Sequence, residues 1–266
     1  MIYFLWTCPK SKSTLFERIV IHVSEVNEVN KKYYVFHEPF SIPYYFASDN
    51  ISKRYINFPE QRQEYLTETF EKTFEHIFEV GKYMDVFVKD MGTHVVDYLF
   101  EKPEYIQKMQ DSNHVKHAFL IRFPHICISS LHNFIKNNNL DGWDYFDENE
   151  CGYKQLFYLK KWFQPLKIFK TEDITFEPKS FIKQICEYID VPFQQNFCTW
   201  KPFSDSLDEI TIPKDWLVWK EWHIDAIQST CINVNQDIHK NYNYNCDEYI
   251  SEIIKKNSIY YKYLLE

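Results

Sequence analysis

Short runs rich in β-branched and aromatic residues recur at Ile2–Cys8, Tyr33–Phe36, Asp85–Val88, Ala118–Ile121 and Lys167–Phe169, each followed by a polar switch. Runs of this kind read as strands buried on both faces. Between them, apolar residues return every three or four positions, which predicts helices over Leu15–Val23, Glu60–Val80, Pro124–Lys136, Tyr153–Phe163 and Pro178–Ile189. In the last of these, Phe181, Ile185, Cys186, Tyr188 and Ile189 form one stripe. Strand and helix in alternation predict an α/β fold, a parallel sheet with right-handed crossovers and helices on both faces. Such sheets bind ligands at the carboxyl ends of their strands.

After Val191-Pro192-Phe193 the pattern loosens, and Trp200, Trp216, Trp219 and Trp222 fall in a proline-punctuated last third. The expectation is an α/β core over residues 1–195 and a helical cap or lid over 196–266. No Gly/Ser linker divides them, so residues 1–266 read as a single domain. Asn137–Asn139 and Asn241–Asp247 read as a loop and a surface excursion, and no repeat is visible.

Composition narrows the function. With 45% hydrophobic and 26% charged residues the chain is globular rather than disordered. Thirty Lys and Arg against 38 Asp and Glu give a net charge of −8, which disfavours nucleic acid and requires any bound anion to meet a local basic cluster. The four glycines, Gly81, Gly92, Gly142 and Gly152, are too far apart for GxGxxG, GxxxxGK[ST] or GxSxG. Seven cysteines without a CxxC pair suggest reduced thiols, and MIYFLWTC is too short for a signal peptide or a membrane span, so a soluble, cytoplasmic protein is expected. His114-x-x-His117 has helical ligand spacing but no carboxylate or Cys beside it, and reads as an exposed loop rather than a metal site.

The first strand ends in Thr7-Cys8-Pro9-Lys10-Ser11-Lys12-Ser13-Thr14, and a helix follows. Strand, polar turn and helix N-terminus together favour phosphate, because unpaired backbone N–H groups and the positive helix end converge. Lys10 adds charge, and Ser11, Ser13 and Thr14 add donors. The competing reading is a plain capping box formed by Thr14 and Glu17.

The string TCPKSKST resembles the 5′-phosphosulfate loop T-Y-P-K-S-G-[TS]-T of the P-loop sulfotransferases. That family holds the 3′-phosphate of its donor with an Arg at a strand end and a Ser eight residues later, and Phe119-Leu120-Ile121-Arg122 followed by Ser130 has this spacing. His37-Glu38-Pro39-Phe40 is similar to the HEPF segment of one subgroup, and Asp85–Met91 to its K-D segment. Ile168–Asp173, Ile185–Phe193 and Trp222-His223 through Thr230 resemble later family segments. The resemblance implies a P-loop-type parallel sheet and a metal-independent transfer of a sulfuryl group from 3′-phosphoadenosine-5′-phosphosulfate (PAPS, product PAP) to a hydroxyl or amine of a small molecule. Donor contacts would come from Pro9, Lys10, Ser11, Lys12, Ser13, Thr14, Arg122 and Ser130. Lys10 would neutralise the leaving phosphate, Lys89 would be a second clamp, and Glu38 would be the base, with His37 and His94 in reserve. Asp90 reads as a base or as a structural acceptor, and Tyr44, Tyr45 and Phe46 suggest an aromatic wall for a flat or apolar acceptor.

Three positions depart from the pattern. Lys12 replaces the loop glycine, where a left-handed backbone costs a non-glycine residue about 1 kcal/mol or more. Met91 stands where cytosolic sulfotransferases have a histidine, and an R-K-G motif has no counterpart. These motivate an alternative, a sulfotransferase-fold protein that binds a nucleotide or partner without turnover. A nucleotide kinase with Val86–Asp90 as a degenerate Walker B strand is a further alternative, opposed by the missing glycines.

Overall fold

The computed structural model describes residues 1–48, 51–55, 65–138, 142, 143, 145–164, 167–203, 220–232 and 247–266. In chain order the regular elements are β1 (Ile2–Thr7), α1 (Ser13–Val26), β2 (Tyr33–His37), α2 (Ser41–Tyr45), α3 (Phe70–Val80), β3 (Asp85–Met91), α4 (Gly92–Glu101), α5 (Pro103–Gln110), β4 (Val115–Ile121), α6 (Pro124–Asn137), α7 (Tyr153–Trp162), β5 (Lys167–Lys170), α8 (Thr171–Phe176), α9 (Pro178–Tyr188), α10 (Lys220–Gln228) and α11 (Glu248–Leu265). The five strands form one parallel sheet in the order β2-β3-β1-β4-β5.

β1 is central and buried along its whole length, which its unbroken apolar sequence requires. Its side chains alternate between two cores. Tyr3 and Leu5 pack with Phe16, Ile19, Phe181 and Ile185 from α1 and α9. Ile2, Phe4 and Trp6 pack on the other face with Phe74, Val96, Leu156 and Ile253 from α3, α4, α7 and α11. The chain leaves β1 toward β2 on one side and leaves β4 toward β5 on the other, so the sheet reverses direction between β1 and β4. A crevice opens at the carboxyl ends of such a pair.

The strands match the expected runs to within three residues at either end, and the sheet is parallel as expected. Several expectations are corrected. The helix expected over Glu60–Val80 starts at Phe70, where the Thr69 side chain caps it by accepting from Lys72 N at 3.3 Å; residues 60–64 lie outside the described residues. As the expected helical C-terminal cap requires, the last third contains an 18-residue helix, α11, capped by Asp247 Oδ1 accepting from Ile250 N at 2.8 Å. Trp216, Trp219, Asn139 and the stretch 241–246 lie outside the described residues. His117 is not in an exposed loop, because β4 begins at Val115. Its ring stacks on Phe163 at 3.9 Å and accepts from Trp6 Nε1 at 3.1 Å, and burial pushes it down to about 3.

Candidate active site at the carboxyl ends of the sheet

The loop after β1 turns through two left-handed residues, Lys10 (φ 59) and Lys12 (φ 63), and α1 begins at Ser13. The left-handed backbone at Lys12 is the conformation a loop glycine would supply, here adopted by a residue with a Cβ. Lys12 precedes the helix without a side-chain cap, leaving the first-turn N–H groups and the positive end of α1 directed at the crevice. Two side chains hold the loop carbonyls. Arg122 Nη1 donates to Lys10 O at 2.9 Å, and Thr171 Oγ1 donates to Ser11 O at 2.6 Å. Arg122 follows directly on β4, and its own carbonyl accepts from Tyr153 OH at 2.7 Å.

The capping box expected from Thr14 and Glu17 does not form. With α1 starting two residues earlier than expected, at Ser13 instead of Leu15, Thr14 Oγ1 sits 3.3 Å from His223 Nδ1, and Glu17 Oε2 pairs with His37 Nδ1 at 2.7 Å in the core.

Lys10 Nζ lies 3.4 Å from the centre of the Phe134 ring and 4.3 Å from that of Trp222. Burial pushes Lys10 down to about 8, against the opposing pull of Asp225. Lys12 is also pushed down to about 8, first by burial and then by the charge of Arg122. Both ammonium groups are therefore poised to gain from an added negative charge.

A cavity of about 710 Å³ opens on this loop. Its wall includes Lys10, Lys12, Ser13 and Thr14 with Arg122 and Ser130, and also Pro9, His37, Glu38 and His94. Ser11 is fully buried beneath, and its hydroxyl has no hydrogen-bond partner among the described residues. The donor-loop residues, the Arg122/Ser130 pair and the candidate bases thus share one cavity, apart from Ser11 below it and Lys89, which reaches it through Glu38.

Lys89 is completely buried in β3, and its ammonium pairs with Glu38 Oε1. Burial alone would raise the Glu38 carboxyl, but Lys89, His37, His94 and His223 together outweigh it and hold the group well below the usual carboxylate range. Asp90 is a structural acceptor. Its Oδ2 takes Phe40 N at 2.7 Å, and its Oδ1 takes Met91 N at 2.7 Å and His94 Nδ1 at 2.6 Å. Met91 lines the cavity and carries no exchangeable proton.

The aromatic wall expected from Tyr44, Tyr45 and Phe46 is present in part. Tyr45 and Phe46 line the cavity, while Tyr44 lies behind, 4.8 Å from Tyr45 and 5.1 Å from His94. Tyr55 and Trp143 extend it, joined by a 2.6 Å bond from Trp143 Nε1 to Tyr55 OH. Behind them Arg54 grips Glu150, which itself lines the cavity, with both arms at 2.5 and 2.6 Å. Glu17, His223, Arg54 and Glu150 were not legible as site residues; for His223 the only sequence signal is the Trp222-His223 pair.

The fold and this site define an α/β protein with a lysine-bearing loop at the switch point of a parallel sheet. No protein-family model and no curated protein sequence matches the chain. Solved structures do. The sulfotransferase domain from the curacin biosynthetic pathway matches at 13% identity over 97% of both chains, with a TM-score of 0.46. The sulfotransferase domain from the Synechococcus PCC 7002 olefin synthase matches at 12% identity over 97% of this chain and 94% of that one, with a TM-score of 0.48. Mouse sulfotransferase SULT7A1 complexed with PAP matches at 7% identity over 96% and 82%, with a TM-score of 0.44. At these identities no residue role transfers from those proteins to this chain. No helix among the described residues is long and apolar enough to cross a membrane.

Proposed function

We propose that the chain is a sulfotransferase that moves a sulfuryl group from PAPS to a hydroxyl or amine of a small aromatic or apolar molecule. The observation that carries this reading is the convergence of Lys10, Lys12 and Arg122 with the N-terminus of α1 between β1 and β4. In a chain of net charge −8, that is a local positive site of the kind an anion requires.

The residues present fit the donor. Ser11 holds an orphaned hydroxyl, and Lys10 and Lys12 carry ammonium groups that burial disfavours and a phosphate would stabilise. Lys10, Lys12, Ser13 and Thr14 would hold the 5′-phosphosulfate, and Arg122 with Ser130 the 3′-phosphate. The bound donor supplies an activated sulfuryl group. Lys10 offsets charge that builds on the leaving phosphate. Glu38 accepts the acceptor's proton, and Lys89 holds its carboxylate ionised and in place. Tyr45, Phe46, Tyr55 and Trp143 shape the acceptor side and exclude water.

Calorimetric titration with PAP, without metal, tests the reading. Micromolar binding that Lys10→Ala and Arg122→Ala both weaken supports it. No binding overturns it, and tight Mg-ATP binding instead selects a nucleotide kinase. PAP binding with no transfer to any acceptor, and indifference to Glu38→Ala, selects a binding protein.

A further inference from the structure

Four side chains form one hydrogen-bonded line from the core to the donor loop. Glu17 on α1 is completely buried, with Oε2 2.7 Å from His37 Nδ1. His37 Nε2 lies 3.1 Å from His223 Nε2, the rings edge to face at 88°. His223 Nδ1 lies 3.3 Å from Thr14 Oγ1, and Thr14 lines the cavity on the second residue of α1.

A carboxylate can only accept, so His37 carries a proton on Nδ1. With His37 neutral, its Nε2 accepts, His223 donates from Nε2, and His223 Nδ1 accepts the Thr14 hydroxyl proton. Thr14 then points its proton at His223 and away from an anion in the loop. Reversing Thr14 requires a proton on His223 Nδ1, which leaves His223 Nε2 as an acceptor. His37 must then donate from both nitrogens and become an imidazolium, its charge set against Glu17. Burial first, then a charge on His37 and that of Lys89, push His223 down to about 2, so the two rings do not both carry a charge and the added proton belongs to His37. Among the described residues, the charged groups around the pair include Glu38, whose Oε1 is 3.8 Å from His37 Nε2, Lys89 bound to Glu38, His94, which acts on Glu38, and Lys10, which acts on His223.

We propose that Glu17 is a positioning residue of the donor site: through His37 and His223 it sets the direction of the Thr14 hydroxyl, and an anion entering the loop brings one proton with it to His37. The inference rests on the donor reading above. Solvent supplies one proton: the His223 Nε2–H bond breaks as its proton passes to His37 Nε2, the solvent proton forms the N–H bond on His223 Nδ1, and the Thr14 hydroxyl keeps its own proton and turns.

The test is titration with PAP at pH 7 in two buffers of different ionisation enthalpy, on the wild-type chain, Glu17→Gln and Thr14→Val. At this pH Lys10 and Lys12, near 8, are already mostly charged, and phosphate groups with a second pKa of about 6 are mostly dianionic. The wild type is expected to take up more than about half a proton per PAP. Glu17→Gln should lose most of that uptake and bind PAP roughly tenfold more weakly. Thr14→Val should also lose the uptake while still binding, which keeps the test valid if Glu17→Gln does not fold. Wild-type binding without proton uptake, or uptake unchanged in both variants, overturns the inference. Failure of the wild type to bind PAP at all overturns the donor reading beneath it.

Discussion

Arg122 and Lys10 lie 112 residues apart in the chain, and the guanidinium of the first donates to the carbonyl oxygen of the second at 2.9 Å. Arg122 is therefore part of the donor loop as well as a charge beside it. On the proposed function, its removal should both delete a charge-assisted contact to the 3′-phosphate and loosen the turn that aims Lys10. We expect Arg122→Ala and Lys10→Ala each to weaken PAP by about 1–3 kcal/mol. We expect the double variant to lose less than the sum, because the two share one loop. Calorimetry on the four proteins of this cycle checks it, and strict additivity would mean that the 2.9 Å bond carries no coupling.

Lys12 holds a left-handed backbone at φ 63, which costs a side-chain-bearing residue about 1–2 kcal/mol. Glycine there removes the strain but adds about 0.4–1 kcal/mol of unfolded-state entropy. Lys12→Gly should therefore raise stability by about 0.5–1 kcal/mol while weakening PAP, since a cationic donor to phosphate is gone. Thermal melts read the first effect and titration the second. A loss of stability would show that the Lys12 side chain contributes packing that outweighs its backbone.

Lys10 and Lys12, both near 8 in the folded chain, sit below the ordinary lysine value of 10.5. Between those values the unfolded chain binds more protons than the folded one, so stability rises with pH through that window. Anion affinity moves the other way. Above about 8 both ammonium groups lose protons that PAP binding must restore, so affinity should fall as pH rises from 8 to 10. Lys10→Ala should make that fall shallower, and an affinity independent of pH over this range would place both lysines outside the anion site.

The sheet was legible because its information is local. β1 is six apolar-rich residues with no interruption, and only the centre of a parallel sheet buries such a strand on both faces. The loop lysines and the Arg122/Ser130 spacing were singled out by short motifs that resemble a family pattern, and they line one cavity. Glu17 was not, because Thr14 and Glu17 fit a capping box as well as Ser13 fits the first helical position, and a two-residue shift of the start, from Leu15 to Ser13, turns Glu17 from cap to core. His223 is 209 residues from Thr14, and no spacing rule reaches that far. A helical C-terminal cap was legible but the bounds of α11 were not, because Asn257 puts a buried polar residue within the stripe Ile250, Ile253, Tyr261 and Leu264, its side chain donating to Ile253 O at 2.9 Å. His117 looked like loop because a histidine reads as polar, while its ring serves as an aromatic plate between Phe4 and Phe163.

Arg54 and Glu150 form a clasp behind the acceptor wall. Besides both carboxylate oxygens, the guanidinium reaches Gly142 O at 2.7 Å and Tyr145 O at 3.0 Å, and it stacks 4.1 Å from Trp143. The pair thus ties residues 51–55 to residues 142–150 and fixes the positions of Tyr55 and Trp143, without touching the donor loop. Glu150→Gln leaves a buried cation without its counter-charge, which costs about 3 kcal/mol or more. For a chain of this size that lowers the thermal midpoint by roughly 6–10 °C. PAP affinity should stay within about twofold, since 1.4 kcal/mol would already be tenfold. If PAP binding fell in step with stability, the clasp would be supporting the donor loop, and the division of the cavity into a charged donor side and an aromatic acceptor side would be wrong.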